Sequence, residues 1–186
     1  MQLVWPTAEH LPGYIAALQS GWSADNVRGA AAAAEELARI HQDAAGFIAA
    51  QIDREAKGDP VILPDGSVAR RLPGLRRWMW DDGIFCGVIG FRWQPGTEAL
   101  PPHCLGHVGY AVVPAQRKRG HAKQALAETL PLARAEGLRW IEITTDEGNL
   151  ASIRTIEANG GLLVERFTKP AAYGSTPGLR YRITLV

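Results

Sequence analysis

The chain has 186 residues, 46% of them hydrophobic, enough for one compact domain with a sizeable core. Its 20 Lys and Arg against 19 Asp and Glu leave a formal charge of +1, which excludes any general pull toward nucleic acid or a membrane surface. No apolar run approaches the roughly 20 residues of a membrane span, no basic-then-apolar signal pattern opens the chain, and Cys86 and Cys104 do not make a disulfide framework, so the reducing cytoplasm is the expected location.

Met1 to Trp5 is short, apolar and stopped by Pro6, which suits a first strand at a sheet edge. Leu11, Ile15 and Leu18 lie at helical spacing and predict a short amphipathic helix over Leu11 to Gln19. From Ala30 to Lys57 the chain is rich in helix formers, with Leu37, Ile40, Ala44, Phe47, Ile48 and Ile52 on one stripe. This predicts one long helix, eased at Gly46 and ending near Gly58-Asp59-Pro60. Pro60, Pro64, Gly66 and Pro73 mark Asp59 to Gly74 as loop. Leu75 to Trp80 and Ile84 to Trp93 are β-rich runs on either side of Asp81-Asp82-Gly83, a hairpin signal. A Pro-rich loop from Gln94 to Leu105 leads to a further strand, which ends at Val113-Pro114.

Beyond Gly120, the residues Ala122, Leu126, Thr129, Leu130 and Ala133 follow helical spacing, with closure at Gly137. Pro131 removes a donor within this pattern and is expected to kink or split the helix. Trp140 to Thr145 alternates as a strand, Asn149 is a good N-cap for a helix over Leu150 to Ala158, and Leu162 to Phe167 and Leu179 to Leu185 are two more strands. The Lys169 to Gly178 connection is rich in Pro, Gly and Ser. The order predicts a single α/β domain (α+β mixed), with a mostly antiparallel sheet of six or seven strands in one layer and helices on both faces.

The stretch GHVGYAVVPAQRKRGHAKQ, Gly106 to Gln124, carries the functional signal. A β-branched strand enters a basic turn, and a glycine then opens a helix; main-chain N–H groups at such a turn can hold phosphate. Arg117-x-x-Gly120-x-Ala122 in this context, with Asn149 capping the helix after the next strand, resembles the GNAT superfamily of acetyl-coenzyme-A-dependent N-acetyltransferases. The stretches GHVGYAVVPAQRKRGHA and TTDEGNLASIRTIEANGGLL resemble a bacterial subgroup of predicted GNAT acetyltransferases. The resemblance spans about Gly106 to Glu165 and is topological elsewhere.

The resemblance implies acetyl-CoA as co-substrate, no metal, and a primary amine of a small molecule or peptide as acceptor, with homodimerisation common in the family. The pyrophosphate falls to the main chain of Arg117, Lys118, Arg119, Gly120, His121 and Ala122, where Gly120 permits close approach and the three basic residues supply charge. The acyl-pantetheine arm falls to the backbone of Ala111, Val112 and Val113 as an added strand, with Asn149 and Ser152 beside it. For the base, the family's use of a carboxylate or histidine on the neighbouring strands brings in His107, Glu142 and Asp146. His107 is favoured by its near-neutral reference pKa, against a purely structural role. The position that holds an acidic tyrosine in many relatives is Ile156, which cannot donate a proton; Tyr173, Tyr181 or water remain as donors.

Other readings are weaker. A sensor that binds acyl-CoA without catalysis would explain Ile156. No Gly-Lys-Ser/Thr follows the glycine, against triphosphate binding. His103, Cys104 and His107 lack an evident fourth metal ligand. Trp78, Trp80 and Trp93 suit the core or an acceptor wall, and no basic pattern is interleaved with them as an RNA-binding sheet needs.

Overall fold

In the computed structural model, which describes residues 1–63 and 65–185, strands and helices gather into two sheets that diverge from a shared edge. The strands are β1 (Gln2–Val4), β2 (Ile52–Asp53), β3 (Val61–Ile62), β4 (Val68–Ala69), β5 (Gly74–Asp81), β6 (Ile84–Arg92), β7 (Val108–Val112), β8 (Trp140–Asp146), β9 (Leu162–Thr168) and β10 (Pro177–Thr184). The helices are α1 (Leu11–Gln19), α2 (Ala30–Gln42), α3 (Ala44–Ala49), α4 (His121–Ala135) and α5 (Leu150–Glu157). One sheet runs β1-β5-β6-β7, with β2 also on β5; the other runs β8-β10-β9; and β3 with β4 makes a separate small hairpin. Every ladder is antiparallel. The expected single layer is therefore divided between β7 and β8, and the last strand, β10, inserts between β8 and β9.

Alternation along β5 divides the interior. Trp78 turns to one face, where it stacks on Tyr14 of α1 (ring centroids 4.5 Å apart) among Leu18, Phe47 and Phe85; Met79 turns to the other, among Ile89, Leu126, Ile143 and Ile156. Helices α1 to α3 cover the first face and α4 and α5 the second, as the pattern predicts. The turn between β5 and β6 is Asp82-Gly83, both at positive φ (48° and 76°), the backbone an Asp-Gly hairpin requires. The tryptophans are packing residues: Trp78 and Trp93 are buried in opposite cores, and Trp80 packs on His10 and Phe85.

The structure corrects one helix and rules out a split in another. The segment expected as one helix from Ala30 breaks at Asp43, whose φ of −154° leaves the helix and whose carboxylate accepts Gly46 N (2.8 Å) to start α3. A Cβ at Gly46 would lie 2.1 Å from Asp43 Oδ2, so the glycine read as an easing point is the space the cap occupies. The helix also stops at Ala49, and β2 follows. Helix α4, by contrast, runs unbroken through Pro131. Pro131 sits on the exposed side, so the Ala127 carbonyl deprived of its donor faces water.

Candidate active site

Strands β7 and β8 meet at one end only. Gly106 permits the approach: a Cβ there would lie 3.1 Å from Glu142 O and 3.2 Å from Thr144 N. The next residue clamps the strands, since His107 N donates to Glu142 O (2.7 Å) while Glu142 N donates to His107 Nδ1 (2.9 Å). The imidazole stands in for a backbone carbonyl. Its ring is fully buried, its other nitrogen has no partner among the described residues, and burial pushes its pKa down to about 4, against the pull of the nearby Glu142. Beyond this clamp no ladder joins the two strands, and the gap widens.

The gap opens into a cleft of about 390 Å³. Val88, Gly90 and Arg92 of β6, Gly109, Tyr110 and Ala111 of β7, and Thr144 to Asp146 of β8 form its walls, with Asn149 and Ser152 of α5 at one side. Ala24, Asn26 and Val27, between α1 and α2, close it from above, and Lys169 from the chain after β9, paired with Asp146, borders it.

Main-chain direction corrects the expected strand contacts. Val113 N donates to Cys86 O (2.9 Å) and His107 O accepts from Arg92 N (2.9 Å), so the odd-numbered residues of β7 turn their polar groups to β6. Alternation turns those of Val108, Tyr110 and Val112 to the gap. Of Ala111, Val112 and Val113, only Val112 offers its main chain there, while Ala111 borders the cleft with its side chain. Arg117 folds back onto this edge, Nε donating to Val112 O (3.1 Å), instead of reaching along the turn.

The turn itself has the predicted form. Gly120 is left-handed (φ 84°), no side chain caps α4, and the first amide with an acceptor is Gln124 N, which donates to Gly120 O (3.0 Å). The N–H groups of Lys118 to Lys123 have no acceptor among the described residues, and α4 presents the positive end of its dipole there. His121 contributes only its main chain: its ring is buried, 3.8 Å from Asp81, and burial lowers its pKa. Lys118 (φ 63°) and Arg119 stand with Gly120 and Ala122 at the far end of β7 from His107.

Asn149 caps α5, its Oδ1 accepting Ser152 N (3.1 Å), which leaves its amide NH₂ free to donate into the cleft. Ser152 in turn meets a residue overlooked in the sequence reading. Tyr110 Oη lies 2.8 Å from Ser152 Oγ, and burial raises its pKa, so the phenol keeps its proton at neutral pH. The sequence signal for Tyr110 was a hydroxyl within an otherwise apolar strand bordering the expected acyl arm.

Most of the sequence candidates for proton transfer stand elsewhere. Glu142 accepts from Arg180 Nη1 (3.0 Å) and Arg182 Nη2 (2.8 Å), tying β8 to β10, and like His107 it does not border the cleft. Tyr173 donates to His103 O (2.7 Å) outside the cleft, Tyr181 points at Glu157 (3.4 Å), and Ile156 is fully buried in the core. Among the described residues, Asp146 alone of the carboxylates reaches the wall. Among the described residues, no three His, Cys, Asp or Glu side chains gather to hold a metal, so His103, Cys104 and His107 do not assemble as one.

A cleft between splayed strands, with unpaired strand amides leading to a helix N-terminus, has the features of a site for an extended ligand that ends in an anion. The sequence matches the family model described as Acetyltransferase (GNAT) domain over residues 3–161, and the chain belongs to that family. It is an acetyltransferase. Solved structures similar in fold include the microcin C7 self-immunity acetyltransferase MccE in complex with acetyl-CoA and AMP, at 11% identity and a TM-score of 0.62, covering 98% of this chain and 91% of that one. RimL, a ribosomal L7/L12 alpha-N-protein acetyltransferase in complex with coenzyme A, aligns at 12% identity and TM-score 0.58 over 98% and 93% of the two chains. The ribosomal-protein-alanine N-acetyltransferase of Brucella melitensis aligns at 14% identity and TM-score 0.57 over 100% of both. No curated protein matches the sequence.

Proposed function

We propose that this acetyltransferase passes acetyl from acetyl-CoA directly to a primary amine of a small molecule or peptide. The observation that carries the proposal is the cleft between β7 and β8, bordered by the Tyr110–Ser152 hydroxyl pair and by Asn149. The amides of Lys118 to Lys123 hold the pyrophosphate, the gap-facing groups of Tyr110 and Val112 hold the pantetheine arm, and Asn149 donates to one of its carbonyls. The amine nitrogen attacks the thioester carbon, the carbon–sulfur bond breaks, and the thiolate takes a proton from Tyr110 or Ser152. The proton lost by the amine passes through water to Asp146, the one carboxylate among the described residues in the cleft wall. Ile156 therefore does not argue for a non-catalytic sensor, because a hydroxyl from β7 stands in for one from α5. RimL is, by its description, an alpha-N-protein acetyltransferase of ribosomal L7/L12, which supports the peptide acceptor class here.

Tyr110→Phe tests the acid. It removes the phenol while keeping the ring, and kcat, followed by release of free thiol across an amine panel, is expected to fall about 100-fold. Unchanged kcat would remove Tyr110 from the mechanism.

A further inference from the structure

One charge in the cleft has no counterpart among the described residues. Three cationic side chains border it: Lys169 is paired with Asp146, and Arg76 with Glu36 (3.3 Å), a carboxylate also bonded by Tyr14. Arg92 is half-buried, and its guanidinium has no carboxylate or carbonyl partner among the described residues. Strand register fixes where it lies. Arg76 on β5 stands opposite Gly90 on β6, and Gly90 stands opposite Gly109 on β7. Arg92, two residues from Gly90, shares the same face of β6, and a Cβ on Gly109 would lie 3.3 Å from Arg92 Nη2. Two adjacent glycines thus make a bare floor about 10 Å across, the width of two strand spacings. Arg76 stands at one side and the Arg92 guanidinium lies over the other, one residue before Tyr110. A Cβ at Gly90 would meet nothing nearer than 3.8 Å, so the space above Gly90, beside the Arg92 guanidinium, is open.

We propose that this floor is the acceptor subsite, and that the acceptor carries an oxyanion, carboxylate or phosphate, that Arg92 binds with Arg76 beside it. An unpaired guanidinium withdrawn from bulk water is costly, and a planar, two-pronged donor suits a carboxylate or phosphate. Coenzyme phosphates do not meet this need. Their amide cradle begins beyond Val113, four residues and about 13 Å along β7 from Gly109. The inference rests on the proposed transfer to an amine in the same cleft.

The test measures binding and transfer separately. Enzyme saturated with coenzyme A is titrated with two matched pairs of amines, aminoethyl phosphate against aminoethanol and the C-terminally amidated dipeptide Ala-Asp against amidated Ala-Asn, with circular dichroism to verify that each variant is folded. Wild type is expected to bind at least one anionic member about tenfold or more tightly than its neutral partner, the loss of one charge-assisted contact. The pair that shows the preference identifies phosphate or carboxylate. Arg92→Gln should erase the preference and Arg92→Lys retain part of it. Equal affinities within both pairs, or a preference that survives Arg92→Gln, overturn the subsite. Thiol release from acetyl-CoA with the same amines reports on the transfer reaction itself: anion-selective binding without acetylation of any of them would count against amine transfer and leave the subsite standing.

Discussion

Gly120→Glu is expected to abolish acetyl-CoA binding in a protein that still folds. At φ 84° the residue is left-handed, which costs a side chain roughly 1–2 kcal/mol. No atom lies within 4 Å of the Cβ position, so the new Cβ meets no steric clash. That strain is small beside the roughly 5–15 kcal/mol that holds a domain together. The electrostatic change is larger. A carboxylate would sit among the amides of Lys118 to Lys123, satisfy some of them, and repel the pyrophosphate they serve. Isothermal titration should show a loss of about 100-fold or more. Gly120→Ala separates the causes, because it carries the same backbone strain without charge and should weaken binding far less. Wild-type affinity in a folded Gly120→Glu variant would place the coenzyme elsewhere.

That loop was legible because its chemistry is local. A β-branched strand, a glycine and a helix start lie consecutively in the sequence, and the backbone follows from residue type. The same holds for the Asp82-Gly83 turn and for Asn149 as a cap. What the sequence hid depends on pairing between distant segments. Periodicity carried the helix past Asp43 because it does not register a side chain that bonds three residues ahead. Strand alternation predicted a β7 strand but not which edge each amide would take; that parity is set by Val113 N bonding to Cys86 O, from another hairpin strand. Tyr110 and Ser152 are 42 residues apart and meet only because β8 diverges from β7 and brings α5 alongside. Arg92 illustrates the same limit. Its reach over Gly109 depends on a register that no motif encodes.

His107 looked like a base because histidine titrates near neutrality, yet burial has made it a clamp, and this predicts an acid-sensitive fold. In the unfolded chain the ring takes a proton near pH 6.5; in the folded protein it does so only at about pH 4. Between these values the unfolded state binds the additional proton, so stability rises with pH across this window. The contribution is fully present above about 6.5 and is lost as the pH falls toward 4, amounting to about 3 kcal/mol. Protonation also converts Nδ1 from an acceptor for Glu142 N into a donor facing a donor, so the clamp at the apex of the cleft fails in the same step. His107→Asn keeps an acceptor near that position and removes the titration. Its unfolding free energy, measured in urea from pH 7 to pH 4, should lie below wild type at neutral pH because the smaller side chain leaves a cavity. As the pH falls, the two curves should converge by about 3 kcal/mol. Parallel curves would show that the ring takes its proton without opposing the fold. Convergence would mean that the residue best suited by intrinsic pKa to move protons is held neutral, so that the backbone edge lining the cleft keeps one shape.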